Sequence, residues 1–466
     1  MSETSPLTAT VSALSSDGSG VVKTEDKVVF VPLTVPGDEI EFRLTGSKKQ
    51  AYFGELIGLR TPSPARVPPP DPEFPQHGGA PWQMIDYHEQ LKWKQRFVED
   101  GFTRIAKLHV PMMDDVVPSK QTVRYRNKME FSFGFESVRV QTAADGSKQF
   151  FDEHPGLGLH RRGNWREIVR ISDTILAPQA MLRAREIMEE FALQSRLPVW
   201  NPLPKKGFWR EAMVRQANGT GEMLIRLTVG QRTDAEFYQP LIERLRVELP
   251  QLTSFSVLSY GGVSVPPPNT PCDLLFGSPT ITERFCGLDF AISADAFFQV
   301  NTLAAESLVA TIGEFAGLSG SEDVLDLFCG TGALGLALAS QANSITGIEL
   351  VQSAVAAARA NAENNGITNA RFLAGAAEQV LPEVLERTHF HTAIVDPPRA
   401  GLPKKARKLL ASLPAEKLVM VSCNPATLAR DVAELVISGW NLQRVRAHDL
   451  FPHTPHVETV ALLARS

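Results

Sequence analysis

Apolar and polar residues alternate in the chain between Thr8 and Leu59. The stretches TATVSAL, KVVFVPL, DEIEFRL and YFGELIGL follow this period of two, and Gly-, Asp- and Pro-containing turn signals separate them. The pattern predicts a small OB-like β-barrel over residues 1–62. Such a barrel can hold nucleic acid on one face, or it can be a structural module without a ligand.

The next segment, TPSPARVPPPDPEFPQHGGAP, is too rich in Pro and Gly for regular structure and predicts a linker or irregular loop. After it, helix-like stretches (YHEQLKWKQRFVEDGF and APQAMLRAREIMEEFALQSR) mix with alternating strands (NKMEFSFGF and EMLIRLTVG) up to a second proline-rich stretch, SVPPPN. We therefore predict a central α+β domain over residues 75–270.

From residue 276 onward the pattern changes to short apolar strands that alternate with helices. The strands DVLDLFC, SITGIEL, TAIVDPP and KLVMVSC are separated by helix-like stretches such as VQSAVAAARANAENNG. This alternation predicts an α/β domain over residues 276–466, with a mostly parallel sheet and helices on both faces. The chain as a whole is predicted to be multidomain.

Composition narrows the class of protein. Of 466 residues, 43% are hydrophobic and 21% are charged, which is typical of a globular protein, and no apolar run is long enough to cross a bilayer. The N-terminal stretch has no secretory signal pattern, so we expect a cytoplasmic protein without a membrane role. The net charge of -5 excludes a uniformly basic coat but not a local basic surface. Four scattered cysteines without CxxC spacing indicate neither disulfides nor zinc.

The first candidate site is DLFCGTG, Asp326 to Gly332, where an apolar strand enters a glycine-rich turn before a helix. Such a turn lets the backbone approach a ligand beyond the carboxyl ends of parallel strands, although a turn needed only for packing has the same pattern. The next strand ends in Glu349, whose carboxylate can accept both hydroxyls of a ribose. Because the P-loop lysine and the full GxGxxG are absent, a small adenosyl cofactor is favoured over ATP or a dinucleotide.

Two further strand ends carry chemistry. In IVDPPR a strand stops at Asp396, whose carboxylate can hold a polar edge of a cofactor or a base, or can simply end the strand. In VMVSCNP, Cys423 ends a strand just before a polar turn, which is a nucleophile's position, although a packing cysteine is an equally good interpretation. Cys329, inside the glycine-rich turn, is better explained by packing under a cofactor.

Glu458 opens the last apolar strand, after a loop that carries His453 and His456. A carboxylate shielded at such a place can have its pKa raised enough to act as a base, whereas a solvated glutamate would do nothing of the kind. No third ligand has metal-site spacing with the two histidines, so no metal is expected.

A cysteine and a carboxylate together fit one reaction, methylation of carbon 5 of uracil. That carbon is a poor nucleophile until a thiolate adds at carbon 6, and a base must remove the C5 proton afterwards. The uracil ring must also leave its stack to reach the site, which costs least in a loop of RNA. Amino-group methylation needs no cysteine, and cytosine C5 methylation typically brings a second cysteine that none of the others supplies.

The motifs FFQVN (Phe297 to Asn301), DLFCGTG, GIEL, DPPR, SCNP and FPHTPHVE occur here in this order. In this the chain resembles, over nearly its whole length, the bacterial RNA uracil-C5 methyltransferases of ribosomal and transfer RNA. The resemblance implies S-adenosylmethionine as cofactor, Cys423 as nucleophile and Glu458 as proton acceptor. It also implies a Rossmann-like methyltransferase domain, an N-terminal TRAM domain that helps to hold RNA, and cofactor contacts at Gln299, Phe328, Glu349 and Asp396. The motifs RYRNKMEFSFG and LHRRGNW suggest phosphate contacts at Arg124, Arg126, Lys128, Arg161 and Arg162.

Two departures from the family pattern matter. Many relatives with a TRAM domain bind a four-iron cluster through four cysteines, but PPPDPEFPQHGGAPW has none and Thr174 stands at the later position. We therefore expect no iron–sulfur cluster, and we suggest that proline-rich rigidity and packing around Trp82 replace it. Ala376 also stands where the family often has an acidic cofactor contact.

The expected substrate is a uridine of 23S ribosomal RNA, because the small bacterial transfer-RNA enzymes of the family usually lack a TRAM domain. The alternatives are the T-loop uridine of transfer RNA and an RNA-binding protein with a vestigial catalytic domain. We expect a monomer.

Overall fold

A computed structural model describes residues 6–24, 26–142, 148–263, 266–267 and 270–465 of the chain. Most of the predicted irregular stretch SVPPPN lies outside these residues, as do residues 1–5 and 466 of the predicted terminal domains. No helix in the described ranges is long and apolar enough to cross a membrane.

The N-terminal strands close into a five-stranded barrel in the order β1-β2-β3-β5-β4. Their alternate apolar side chains, such as Val22, Val31 and Phe42, are fully buried inside the barrel, which is the burial that the period of two predicted. The strands are β1 (Leu7–Leu14), β2 (Gly20–Lys23), β3 (Val28–Val31), β4 (Glu39–Lys48) and β5 (Ala51–Thr61).

The helix predicted from YHEQLKWKQRFVEDGF is confirmed as α1 (Tyr87–Asp100), which continues into a π-helical turn (Gly101–Ile105). Asp86 caps its first turn by accepting the backbone N–H groups of His88 and Glu89 at 3.0 and 3.4 Å. A short strand, β6 (Met112–Met113), follows.

The central part of the chain forms a seven-stranded sheet, in the order β13-β12-β11-β10-β7-β8-β9, and a separate hairpin of β14 and β15. Two helices, α2 and α3, contribute to the same core, in which Trp209 is fully buried. The elements are β7 (Lys128–Thr142), β8 (Lys148–Arg161), β9 (Asn164–Val169), α2 (Gln179–Gln194), β10 (Trp209–Gln216), β11 (Met223–Val229), α3 (Gln239–Glu248), β12 (Leu252–Ser259), β13 (Cys272–Gly277), β14 (Thr280–Phe285) and β15 (Leu288–Ser293).

The C-terminal part carries the remaining elements. They are α4 (Thr302–Ala316), β16 (Asp323–Leu327), α5 (Ala333–Leu338), β17 (Ser344–Glu349), α6 (Gln352–Asn364), β18 (Ala370–Ala374), α7 (Ala377–Leu385), β19 (Thr392–Val395), α8 (Lys404–Ala411), β20 (Lys417–Ser422), α9 (Pro425–Ile437), β21 (Asn441–His448) and β22 (Glu458–Ala464).

These strands form an eight-stranded sheet in the order β18-β17-β16-β19-β20-β22-β21-β6. The pairs from β18 to β20 are parallel, as the strand–helix alternation predicted, whereas β22 runs antiparallel to both β20 and β21. Because of this reversal, the beginning of β22 lies at the edge where the parallel strands end.

The described chain divides into two compact units. The first unit contains residues 1–69, 81–122 and 303–466, and the second contains residues 70–80 and 123–302. Packing therefore groups α1 and β6 with the C-terminal sheet, because β6 pairs with β21 and helix α1 packs beside α9. The sequence boundaries at residues 62, 75, 270 and 276 do not coincide with this division, and the three-domain scheme stays a proposal.

Candidate active site

The glycine-rich turn between β16 and α5 has an unusual backbone. Phe328 and Gly332 both have positive φ, at 64° and 79°. A Cβ atom added at Gly332 would lie 3.0 Å from the ring of Phe372, so a glycine is needed there for two reasons. The backbone N–H groups of Phe328 and Cys329 donate to the carbonyl of Ile348 at 3.0 and 3.3 Å. The turn is thereby held against the end of β17.

The carboxyl groups of Asp326 and Asp396 lie where β16 and β19 end. Asp326 is fully buried, and its Oδ2 accepts the backbone N–H of Gly335 at 3.1 Å. Its Oδ1 has no hydrogen-bond partner within the described ranges. Burial, and then the charge of Asp396, raises the pKa of Asp326 to about 7, and burial raises the pKa of Asp396 to about 6. Asp326 belongs to the sequence motif DLFCGTG, but the sequence pattern alone indicated no role for its side chain.

Glu349 ends β17 and is held by the backbone on both carboxylate oxygens. Its Oε2 accepts the N–H of Gly330 at 3.1 Å, and its Oε1 accepts the N–H of Val351 at 2.9 Å. Each oxygen still has a second lone pair, so the oriented carboxylate can accept hydroxyl groups of a ligand. Glu349 also contributes to the raised pKa of Asp326, which groups the two carboxylates at one edge of the sheet.

The sheet register brings Cys423 and Glu458 together. The final residue pair of the ladder between β20 and β22 joins Ser422 to Thr459, and because the strands are antiparallel, the next residues on the two strands are Cys423 and Glu458. The thiol is partly exposed, whereas the carboxyl group is only 4% exposed. A thiol and a carboxyl group therefore lie side by side at the edge that also holds Asp326 and Asp396.

The electrostatics of the pair are unusual. Burial, then the charge of Glu458, raises the pKa of the Cys423 thiol to about 11, and the nearby Arg399 opposes this increase. Burial, then the charge of Asp396, raises the pKa of Glu458 to about 8. A carboxyl group with such a pKa exchanges its proton near neutral pH, which is what a general base requires.

Arg399 is a site residue that the sequence interpretation missed. It belongs to the quoted DPPR motif, and its guanidinium lies 3.5 Å from Nδ1 of His456. The only signal in the sequence was an arginine three residues after Asp396. Its positive charge is the one that lowers the pKa of Cys423.

The remaining cofactor candidates are placed differently. Phe328 lies in the turn after β16, but Gln299 lies in the second unit, where its backbone carbonyl accepts Nδ2 of Asn127 at 2.9 Å. Its proposed cofactor contact therefore depends on the sequence resemblance. Ala376 precedes α7 and its side chain makes no capping bond, as expected of a methyl group.

Three of the side chains suggested as phosphate contacts bind other groups of the second unit. The guanidinium of Arg124 binds both carboxylate oxygens of Asp173, at 3.0 and 2.9 Å, and the carbonyl of Ala177 at 2.9 Å. Lys128 and Arg161 form ion pairs with glutamates, at 2.8 and 2.9 Å respectively. These three side chains are engaged within the protein, and we do not carry the phosphate role to them.

The cysteine-free stretch meets Thr174 through polar contacts. Asp71 is buried, and its carboxylate accepts the hydroxyl of Thr174 at 2.9 Å and the N–H of Ile175 at 2.7 Å. The ring of His77 is also buried, with Nε2 3.5 Å from Asp71. Trp82 belongs to the first unit, in which its Nε1 donates to the carbonyl of Gly18 at 3.1 Å.

The described residues contain no group of three or more His, Cys, Asp or Glu side chains suited to a metal ion. All four cysteines lie in the described ranges and none forms a disulfide. Burial raises the pKa of Cys329 strongly, so that thiol is a poor nucleophile.

Two family models match the chain. Residues 287–466 match the model described as tRNA (uracil-5-)-methyltransferase, and residues 7–64 match the TRAM domain of tRNA (uracil(54)-C(5))-methyltransferase. An uncharacterised RNA methyltransferase of Nitratidesulfovibrio vulgaris is 34% identical, with 98% of this chain and 96% of that protein covered. One of Caldanaerobacter subterraneus is 33% identical, with 99% of each chain covered.

Among solved structures, the Pyrococcus abyssi tRNA (uracil-54, C5)-methyltransferase, bound to S-adenosyl-L-homocysteine, superposes with a TM-score of 0.75 at 28% identity. The match covers 98% of this chain and 100% of that one. Relatives above 30% identity extend over nearly the whole chain, and both ends match models of the same kind of enzyme. The chain therefore belongs to the family of S-adenosylmethionine-dependent RNA (uracil-5-)-methyltransferases, with a TRAM domain at its N-terminus.

Proposed function

We propose that the protein methylates carbon 5 of a loop uridine in RNA through a covalent bond between Cys423 and carbon 6 of the base. The single observation that supports this most is the adjacency of a partly exposed thiol and a buried carboxyl group at the ends of β20 and β22. Either group alone would have an ordinary explanation. Together they are the two groups that this chemistry needs.

The acidic edge of the sheet fits the cofactor. Burial, and then the charges of Asp396 and Glu349, raises the pKa of Asp326, and a cation bound there would offset both the burial and the repulsion. When bound, S-adenosylmethionine supplies the methyl group that carbon 5 receives, and its sulfonium and ammonium groups provide such positive charge. We propose that Glu349 accepts the ribose hydroxyls, while Phe328, Asp396 and Gln299 complete the contacts that the family resemblance implies.

Cys423 must be a thiolate to add to uracil. Its pKa is raised to about 11 by burial and by Glu458, so few molecules carry the thiolate at neutral pH. Two features favour the charged form: Arg399, and the N-terminus of α9, which begins two residues after the cysteine. The thiolate forms a bond to carbon 6, and the electron pair of the double bond between carbons 5 and 6 moves into an enolate.

Glu458 acts after carbon 5 has received its methyl group. The carboxylate takes the C5 proton, the double bond between carbons 5 and 6 forms again, and the bond from carbon 6 to sulfur breaks to release the thiolate. A pKa of about 8 means that the group can take this proton and lose it again at physiological pH.

The barrel offers a surface for RNA. The rings of Phe30 and Phe53, on neighbouring strands, lie 6.2 Å apart, and Phe53 is 40% exposed. The Lys27 ammonium lies 5.3 Å from the centre of the Tyr52 ring, and Lys49 lines the same groove as Phe30. Aromatic faces next to basic groups bind unpaired bases and their phosphates.

A uridine of 23S ribosomal RNA is our first candidate substrate, because the chain resembles bacterial enzymes that combine a TRAM domain with this chemistry. The T-loop uridine of transfer RNA is the second. It is favoured by the full-length similarity to the Pyrococcus abyssi enzyme and by the TRAM model, both of which are described as acting on uracil 54 of tRNA. We propose a monomer of three domains that acts in the cytoplasm.

The test is transfer of labelled methyl from S-adenosylmethionine to unmodified 23S ribosomal RNA and to unmodified transfer RNA, with nucleoside analysis of each product. We expect 5-methyluridine in the ribosomal RNA, and none with Cys423→Ala. Label only in transfer RNA would select the second substrate. Absence of 5-methyluridine from both would contradict the proposal, and a Cys423→Ala protein with full activity would contradict the mechanism.

A further inference from the structure

The loop that joins β21 to β22, residues 449–457, leads directly into Glu458. One face of α1 lies against this loop through two fully buried polar side chains, Gln90 and Lys94. They are four residues apart, so they project from the same side of the helix. Neither is explained by the chemistry described above.

Lys94 binds the beginning of the loop. Its ammonium donates to Oδ1 of Asp449 at 2.5 Å and to the carbonyl of Phe451 at 3.0 Å. The same Oδ1 accepts the N–H of Phe451 at 3.1 Å, so lysine and aspartate together hold the backbone of that residue. Burial lowers the pKa of Lys94, and Asp449 opposes this change.

Gln90 binds the middle of the loop. Its Oε1 accepts the N–H of His453 at 2.8 Å, while its Nε2 donates to the carbonyl of Ile85 at 2.8 Å. The carbonyl of His453 accepts the N–H of Trp82 at 2.9 Å. His453 has a φ of 64°, an uncommon conformation for a residue other than glycine, and both of its backbone groups are held.

Between the residues held by Lys94 and Gln90 and the Glu458 carboxylate, hydrogen bonds within the loop itself fix its backbone. The hydroxyl of Thr454 donates to the carbonyl of Phe451 at 2.7 Å and accepts the N–H of His456 at 3.3 Å. Pro452 and Pro455 further restrict the backbone. A displacement at Asp449 or His453 is therefore passed on to the start of β22.

We propose that Lys94 and Gln90 are positioning residues, which set the location of the Glu458 carboxylate through the loop that they anchor. The inference depends on the proposed function, because it assigns Glu458 the role of base. A buried ion pair is seldom the most stable choice, since an apolar pair of similar volume is often as stable or more so. Unlike an apolar pair, Lys94 and Asp449 make directional hydrogen bonds that fix the backbone of Phe451. Such precision matters because a catalytic base must be held within a fraction of an ångström of its productive position.

The experiment separates positioning from stability with the double variant Lys94→Met/Asp449→Leu, which removes both charges and leaves no buried ion unpaired. Lys92→Met is the matched control, because Lys92 is an exposed residue of the same helix. Urea unfolding measures stability. Labelled methyl transfer and gel analysis of the denatured enzyme–RNA mixture measure turnover and the covalent adduct.

We expect the double variant to unfold at a urea concentration close to that of the wild type but to turn over about 100-fold more slowly, the loss that a misplacement of about 1 Å can cause. Because Glu458 acts only after methylation, the slow variant should accumulate a denaturant-resistant adduct that carries label, as Glu458→Gln should. Lys92→Met should match the wild type.

Three outcomes would overturn the inference. The first is turnover within twofold of wild type in the double variant, and the second is a loss of turnover and adduct together, which would indicate a general defect of the site. The third is a double variant that does not fold while Gln90→Ala folds and keeps full turnover. A wild-type enzyme that makes no 5-methyluridine would instead refute the proposed function, and this inference with it.

Discussion

Asp71→Ala is the substitution for which the structure gives the most definite prediction. Asp71 lies in the second unit, and its carboxylate accepts the Thr174 hydroxyl at 2.9 Å and the Ile175 N–H at 2.7 Å, with His77 beside them. Asp71, His77 and Thr174 are all less than 5% exposed. Alanine would leave two buried donors without their acceptor.

The expected loss follows from those two donors. A buried donor left unsatisfied costs about 1 to 3 kcal/mol, and more when its acceptor was charged, so the pair should cost roughly 2 to 6 kcal/mol. We expect a loss of about 4 kcal/mol, the middle of that range. This is a large part of the roughly 5 to 15 kcal/mol that stabilises a typical domain.

Urea unfolding, monitored by the tryptophan fluorescence of the second unit, measures the loss. Asp71→Asn is the matched control, because its amide oxygen can still accept the Ile175 N–H, and it should lose less than half as much as alanine. A loss below about 1 kcal/mol for Asp71→Ala would refute the reasoning. So would equal losses for the two variants, since the effect would then come from charge or volume and not from the acceptor.

Three further predictions follow from the site. Turnover should rise with pH through about 8, because Glu458 must be ionised to act as base and the Cys423 thiol, with a pKa of about 11, is more ionised at higher pH. A turnover that is constant between about pH 6 and 8.5 would contradict both assignments. Affinity for S-adenosylmethionine, measured by calorimetry, should increase from about pH 5 to 8 as Asp396 and Asp326 lose their protons, since their pKa values are about 6 and 7. The affinity for S-adenosylhomocysteine, which lacks the sulfonium charge, should increase less over the same pH range. Lys404, Lys405 and Lys408 are exposed on α8, the helix that follows Asp396 and Arg399 of the site, and we expect them to contact RNA phosphates. Replacing all three by alanine should weaken RNA binding and reduce its salt dependence, by up to about one unit of log–log slope for each phosphate that a lysine no longer neutralises. An unchanged slope would mean that α8 does not contact RNA.

Local sequence patterns were sufficient for the secondary structure around the site. The alternating strands of the barrel and the parallel strands from β16 to β20 could be predicted because each follows from residues that are close together in the chain. The glycine-rich turn at Phe328 and the strand end at Cys423 belong to the same class of local signal. Such patterns give the position of each candidate group along its own strand.

Contacts between distant parts of the chain could not be predicted in this way. Cys423 lies beside Glu458 only because β22 is antiparallel to β20, and a periodic pattern carries no information about strand direction. Lys94 and Asp449 are 355 residues apart, and Asp71 and Thr174 are 103 apart. Our suggestion that proline-rich rigidity and packing around Trp82 replace the cluster stays a hypothesis, and it did not include the polar contact at Thr174. The residue that contacts Thr174 is Asp71, and its carboxylate is buried. The proline-rich composition of its segment would instead predict a solvated loop.

The pairing of Lys94 with Asp449 also bears on the pKa of Glu458. A lone lysine near the loop would favour ionisation of Glu458 and would lower its pKa. Burial, and then the charge of Asp396, raises this pKa to about 8. Since Asp449 compensates the ammonium directly, Lys94 can hold the loop without acting on the base through its charge. A lysine paired in this way can position Glu458 and still leave it basic enough to take a proton from carbon 5.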